Sequence, residues 1–199
     1  MFAVGNDEPM VAEVVAEEQA AGRTPYVIPV GGSSGIGVLG YVSGSAELVH
    51  QLHDMGITPS RLYYASGSRG TQAGLTLGAK LCAAPYRVCG VAVSAGEPEK
   101  IERAKRIANE AAERLGLPER LELEDLVTDQ SQIGEGYGIP TAAGLEAIAL
   151  LARTEAILLD PCYTSKGMAG LIHDIRSGAI TPSETVVFLH TGGMPALFT

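Results

Sequence analysis

Basic residues are scarce in this sequence. Lysine and arginine total 14 against 23 acidic residues, giving a formal net charge of −9. Binding to nucleic acid needs clustered cations against phosphate, so that class of function is excluded. Long hydrophobic runs are also missing: none reaches the ~18 residues of a membrane span. The amino terminus, MFAVGNDEPM, has neither a basic flank nor an apolar segment, so no signal peptide is expected. Cysteine is sparse too. Cys82, Cys89 and Cys162 stand at unrelated spacings that fit neither a disulfide framework nor a zinc pattern, which points to a reducing, cytoplasmic setting. His50, His53, His173 and His190 are scattered. His50 and His53 share a helix face, where a solvated surface is the better reading than a metal site.

What the sequence does have is alternation. Its 199 residues are 46% hydrophobic, enough for a sizeable core in one large domain or an incomplete larger one. Helices are expected from Pro9 to about Ala21, Ser43 to Met55, Gly70 to Ala83, Pro98 to Leu115, Thr141 to Arg153 and Lys166 to Arg176. Glycine or proline stops follow several of them. Strands are expected at Pro25–Val30, Leu62–Ala65, Tyr86–Val93, Leu121–Val127, Ala156–Leu159 and Thr185–Leu189. Two prolines in PYVIPV place that run at an edge or a bend. Strand and helix in turn argue for an α/β fold: a mostly parallel, twisted sheet with helices on both faces. Ligands of such sheets bind beyond the carboxyl ends of the strands.

Three loops fall at such ends. Gly31–Gly37, GGSSGIG, has the look of a dinucleotide fingerprint. No Tyr-x-x-x-Lys accompanies it, since Tyr163 has Lys166 at three, and no acidic residue is well placed for a ribose. A tight packing turn is the alternative. Ser66-Gly67-Ser68-Arg69-Gly70-Thr71 lies between a strand and a helix. Glycines let consecutive N–H groups converge, and the helix adds its positive end, so anion binding is favoured over a plain turn. Without a Gly-Lys-Ser/Thr ending it is not an ATP-type loop. Third, GEGYGIPT (134–141) and DPCYTSKGM (160–168) each offer a tyrosine, Tyr137 and Tyr163, for proton transfer or simply for packing.

YVIPVGGS, ASGSRGTQAGL, GYGIPT, DPCYTSKGM and FLHTGGMPALF, in that order, resemble the pyridoxal-phosphate enzymes that include D-cysteine desulfhydrase and 1-aminocyclopropane-1-carboxylate deaminase. The resemblance covers nearly the whole chain. It implies the tryptophan-synthase-β-like fold (fold type II), with pyridoxal 5'-phosphate between two α/β domains, a small amino-acid substrate and a homodimer. It implies that Ser66, Gly67, Ser68, Arg69, Gly70 and Thr71 cradle the phosphate, with Arg69 standing where the family has a small residue. Thr191 would face the pyridine nitrogen. Tyr137 and Tyr163 would line the substrate site, Tyr163 as the proton-transfer candidate.

The family's upstream segment, with its Schiff-base lysine, has no counterpart among residues 1–199, and Lys80, Lys100, Lys105 and Lys166 all stand in other contexts. The chain therefore reads as the carboxyl-terminal two-thirds of such an enzyme, inactive alone and completed by a missing segment or a second polypeptide. Tyr163-Thr164 and Thr191 look like the desulfhydrase pattern, where the deaminases have Tyr-Glu and Leu. The implied reaction is β-elimination of D-cysteine to pyruvate, sulfide and ammonia. Deamination of 1-aminocyclopropane-1-carboxylate and sulfo-lyase action on cysteate are alternatives. A non-catalytic remnant that keeps the anion site is an alternative of another class.

Overall fold

The computed structural model describes residues 8–193 and Ala196. The chain divides into two compact units after residue 32. The first holds helix α1, Glu8–Ala20, with Pro9 in its first turn where no N–H is needed. Gly22, at φ 76°, ends it, and Arg23 closes the turn through an ion pair to Glu18. Pro25–Val30 is not the expected strand. Its prolines remove two ladder donors, and the segment runs irregularly into a short 3-10 turn at Val30–Gly32.

The second unit runs α2 (Leu39–Asp54), β1 (Arg61–Ser66), α3 (Gly70–Leu81), β2 (Arg87–Ala92), α4 (Glu99–Arg114), β3 (Val127–Asp129), α5 (Ala142–Thr154), α6 (Thr164–Arg176) and β4 (Val186–Phe188). The strands form a four-stranded sheet in the order β3-β2-β1-β4, and every pairing is parallel. Leu62 and Tyr64 alternate with Tyr63 along β1. The first two join a cluster with Leu52, Leu75, Ala79 and Val88, and the third joins Ala147, Leu159, Met168 and Leu171. The sheet is thus covered on both faces, by α2 and α3 on one and by α5 and α6 on the other. α4 packs outside α3 through Ala104, Ile107, Ala108 and Ala111.

Two strand expectations need correction here. Leu121–Val127 becomes a 3-10 turn at Leu123–Asp125, closed by a reciprocal Glu122–Asp125 capping box, and only residues from Val127 on enter the sheet. Ala156–Leu159 is not a strand. Ala156 sits at φ 57°, outside strand geometry, and Ile157 and Leu158 are about half exposed while Leu159 alone is buried.

One packing device went unread in the sequence. Gly70, Gly74 and Gly78 lie four apart on α3, so they share a face. A Cβ at Gly74 would sit 2.5 Å from Tyr41 Cβ and 2.6 Å from the Val38 carbonyl oxygen. One at Gly78 would sit 2.5 Å from Ser45 Cβ. The missing side chains let α2 approach the α3 backbone. Gly74→Ala, which would stabilise an exposed helix, is expected here to destabilise by about 1–3 kcal/mol. Chemical denaturation checks this through the sign of the change at an unaltered slope.

Candidate active site

Because the sheet is parallel, the loops after β1, β2, β3 and β4 all leave from one edge. They carry Ser66–Gly70, Val93–Pro98, Gln130–Pro140 and Leu189–Gly193. The first passes from β1 into α3 in three residues, Gly67–Arg69. Arg69, the residue before the helix, is left-handed at φ 72°. The N–H groups of Gly70, Thr71 and Gln72 meet no acceptor among the described residues, as expected for a first helical turn. Ser33 Oγ lies 2.8 Å from Ser68 Oγ, and a Cβ on Gly70 would collide with Ser33 Oγ at 2.6 Å. Unpaired donors, small residues and a helix amino terminus suit this loop to an anion such as a phosphate.

Below the loop the side chains are tied down. Ser66 Oγ donates to Gln72 Oε1 at 3.2 Å, and Gln72 Nε2 donates to Thr128 Oγ1 at 2.9 Å and the Val127 carbonyl at 3.1 Å. Gln72 thereby joins β1, α3 and β3 with its side chain fully buried. Arg69 points inward, 1% exposed, and pairs with Glu97. Its Nε and Nη1 have no hydrogen-bond partner among the described residues.

Tyr163 comes to the same place from α6. Its ring lies against the loop, so that a Cβ on Gly67 would be 3.3 Å from Tyr163 Cε1. Its hydroxyl contacts that of Tyr137, and the two rings meet edge to face at 5.7 Å and 77°. Burial, then the bond to Tyr137, pushes the Tyr163 phenol above the usual tyrosine value, so it is a neutral hydroxyl near pH 7.

Asp160 sets the start of α6. Its carboxylate accepts from the N–H groups of Cys162, Tyr163 and Thr164 at 2.7–2.8 Å and from the Thr164 hydroxyl at 2.7 Å. Burial pushes its pKa up, but these bonds outweigh that, and the net shift is downward. Thr164 is fully buried, and its hydroxyl is engaged with Asp160 as donor and acceptor. Thr191 follows β4, half-buried, with no hydrogen-bond partner for its hydroxyl among the described residues. The remainder of FLHTGGMPALF, apart from Ala196, lies outside the described residues.

The lysines are all occupied. Lys80 pairs with Asp125 at 2.8 Å and Lys105 with Glu122 at 2.6 Å, while Lys100 donates to Ser94 Oγ and the Ala95 carbonyl. Lys166 is fully buried, its ammonium 2.7 Å from the Ile133 carbonyl and 2.8 Å from that of Gly136. GGSSGIG has no strand before it. Its Gly35 packs on α4, where a Cβ would lie 2.8 Å from Glu110 Cβ, so the packing-turn alternative describes it.

A family model described as "Pyridoxal-phosphate dependent enzyme" matches residues 1–192. The chain belongs to the pyridoxal-phosphate dependent enzymes. A solved structure of an ACC deaminase homologue is similar over 98% of this chain, with 35% identity and a TM-score of 0.84. A threonine deaminase from T.th. matches over 96% at 24% identity and a TM-score of 0.53, a likeness of fold alone. The chain spans 57% of the length of the first and 61% of the second. The α/β fold and the cofactor class expected from the sequence are thereby those of its family. The free N–H groups at Gly70–Gln72 fit the phosphate of that cofactor.

Among functional residues, sequence reasoning missed Asp160, Gln72, Glu97 and Ser33. Asp160 alone left a local signal: an Asp a few residues before a helix is a capping pattern. The others act across distances in sequence that no spacing reveals.

Proposed function

We propose that this chain is the cofactor-binding part of a lyase that eliminates the β-substituent of a small amino acid, D-cysteine being the substrate. In this reading Ser66–Thr71 hold the cofactor phosphate and Thr191 faces the pyridine nitrogen. Bound pyridoxal phosphate supplies the electron sink for loss of the α-proton. The observation that carries the reading is the place of Tyr163: its ring is laid against the phosphate loop and its hydroxyl meets that of Tyr137. A hydroxyl there can donate a hydrogen bond from Oη to the sulfur as the carbon–sulfur bond breaks and hydrosulfide departs. Thr164 gives further support, because the deaminase pattern has a carboxylate at that position and here it is a hydroxyl held by Asp160. The cofactor-anchoring lysine belongs to the remainder of the enzyme, since each lysine here is held elsewhere.

The test is product analysis on the complete enzyme. D-cysteine should yield sulfide and pyruvate, and 1-aminocyclopropane-1-carboxylate should yield no α-ketobutyrate. The reverse outcome makes the protein a deaminase. Tyr163→Phe should lower sulfide release at least about a hundredfold, the scale of a lost proton-transfer group. After borohydride reduction, peptide mapping should find stoichiometric cofactor on none of Lys80, Lys100, Lys105 or Lys166.

A further inference from the structure

Burying a lysine is costly unless its charge is met. Lys166 is fully buried, yet its ammonium faces two backbone carbonyls, of Ile133 and Gly136, and pairs with no carboxylate among the described residues. Those carbonyls belong to the loop between β3 and α5. That loop is glycine-rich and left-handed at Gly134 (φ 67°) and Gly138 (φ 79°), so its own backbone restrains it little. Its internal bonding is thin: Ile133 N–H reaches the Gln130 carbonyl at 3.4 Å, and Ser131 N–H is held by Asp129 at 2.7 Å. The residue directly after Gly136 is Tyr137, which is 58% exposed and whose hydroxyl meets Tyr163. Lys166 is three residues beyond Tyr163 on the rigid start of α6.

We infer that Lys166 is a positioning residue for the tyrosine pair: by gripping the carbonyls on either side of Gly134 and Glu135 it sets Tyr137 against Tyr163. The lysine stem supplies the reach from helix to loop, and the ammonium offers several donors to two acceptors in charge-assisted bonds. A sulfide-releasing reaction would feel this through the orientation of the Tyr163 hydroxyl. Only that consequence rests on the function proposed above, and the geometric claim stands apart from it.

The test needs no turnover. Tyrosine labelled with carbon-13 at Cζ, in the full polypeptide, reports each phenol by NMR, and Tyr163→Phe assigns the Tyr163 signal. Tyr137→Phe should shift that signal. Lys166→Met should shift it by the same amount, and the double variant should match either single one. Lys166→Arg, which keeps donors on a long stem, should restore part of the wild-type position. A folded Lys166→Met protein whose Tyr163 signal stays in place overturns the inference. So does additivity in the double variant. Should Lys166→Met not fold, Gly134→Ala probes the same link from the other side. Its Cβ would lie 2.4 Å from Thr141 Cγ2 at a φ of 67° that strains a side chain, so the loop beside the Ile133 carbonyl is perturbed while the lysine stays intact. Gly134→Ala should displace the Tyr163 signal as Tyr137→Phe does, and an unmoved signal overturns the inference equally.

Discussion

Arg69→Met is expected to destabilise the protein by about 3–5 kcal/mol, because it leaves the Glu97 carboxylate beneath the loop without its cation. The Glu97 side chain is 13% exposed and that of Arg69 is fully buried, so water reaches little of the pair. The pair is also an expensive one. Two guanidinium nitrogens have no acceptor among the described residues, and a non-glycine residue at φ 72° carries backbone strain. Removing both charges should therefore be far milder than removing one. Arg69→Met with Glu97→Leu is expected to recover most of the lost stability, although the bond from Ile101 N–H to Glu97 is lost with it. Chemical denaturation of the two single variants and the double variant measures the coupling. A double variant as unstable as Arg69→Met would mean that arginine packing, not the ion pair, holds the loop.

Asp160→Asn should cost about 3 kcal/mol, the scale of losing several hydrogen bonds to one buried charged acceptor. The amide keeps a single acceptor oxygen and turns an –NH2 toward N–H groups that already donate. A protein of this size should melt about 6–12 °C lower. Tyr163 is set by the same turn, so activity should fall along with stability. Asp160 also abuts the last described loop, since a Cβ on Gly193 would crowd Asp160 Oδ1. The sign of the pH dependence follows from its lowered pKa. A carboxylate held below its ordinary value of 3.8 stabilises the fold above that pH and loses the contribution as pH falls through the folded-state value. The stability gap between wild type and Asp160→Asn should be full near neutrality and narrow below pH 3.8. A gap independent of pH down to acid unfolding would rule out the charge as the source.

The sequence by itself determined the layered α/β plan and the bare loop between β1 and α3, because these depend on local patterns. β-rich runs such as LYYAS pair with whatever lies beside them. The bare SGSRGT between strand and helix can scarcely be other than a turn of free N–H groups. Where local pattern competed with tertiary context, the sequence misled. PYVIPV and AILL have strand composition, but prolines in one and a left-handed Ala156 at the start of the other leave both outside the sheet.

Tertiary structure alone decided which side chains meet. The glycine face of α3 has meaning only against Tyr41 and Ser45 of α2. Arg69 could have met the ligand, but it turns inward because Glu97 is there. Lys166 looks in sequence like a spare reactive amine, and the fold buries it against two carbonyls. Those partners lie about 30 residues from each of the three in sequence, beyond the reach of helix or strand periodicity, so only chain closure brings them together.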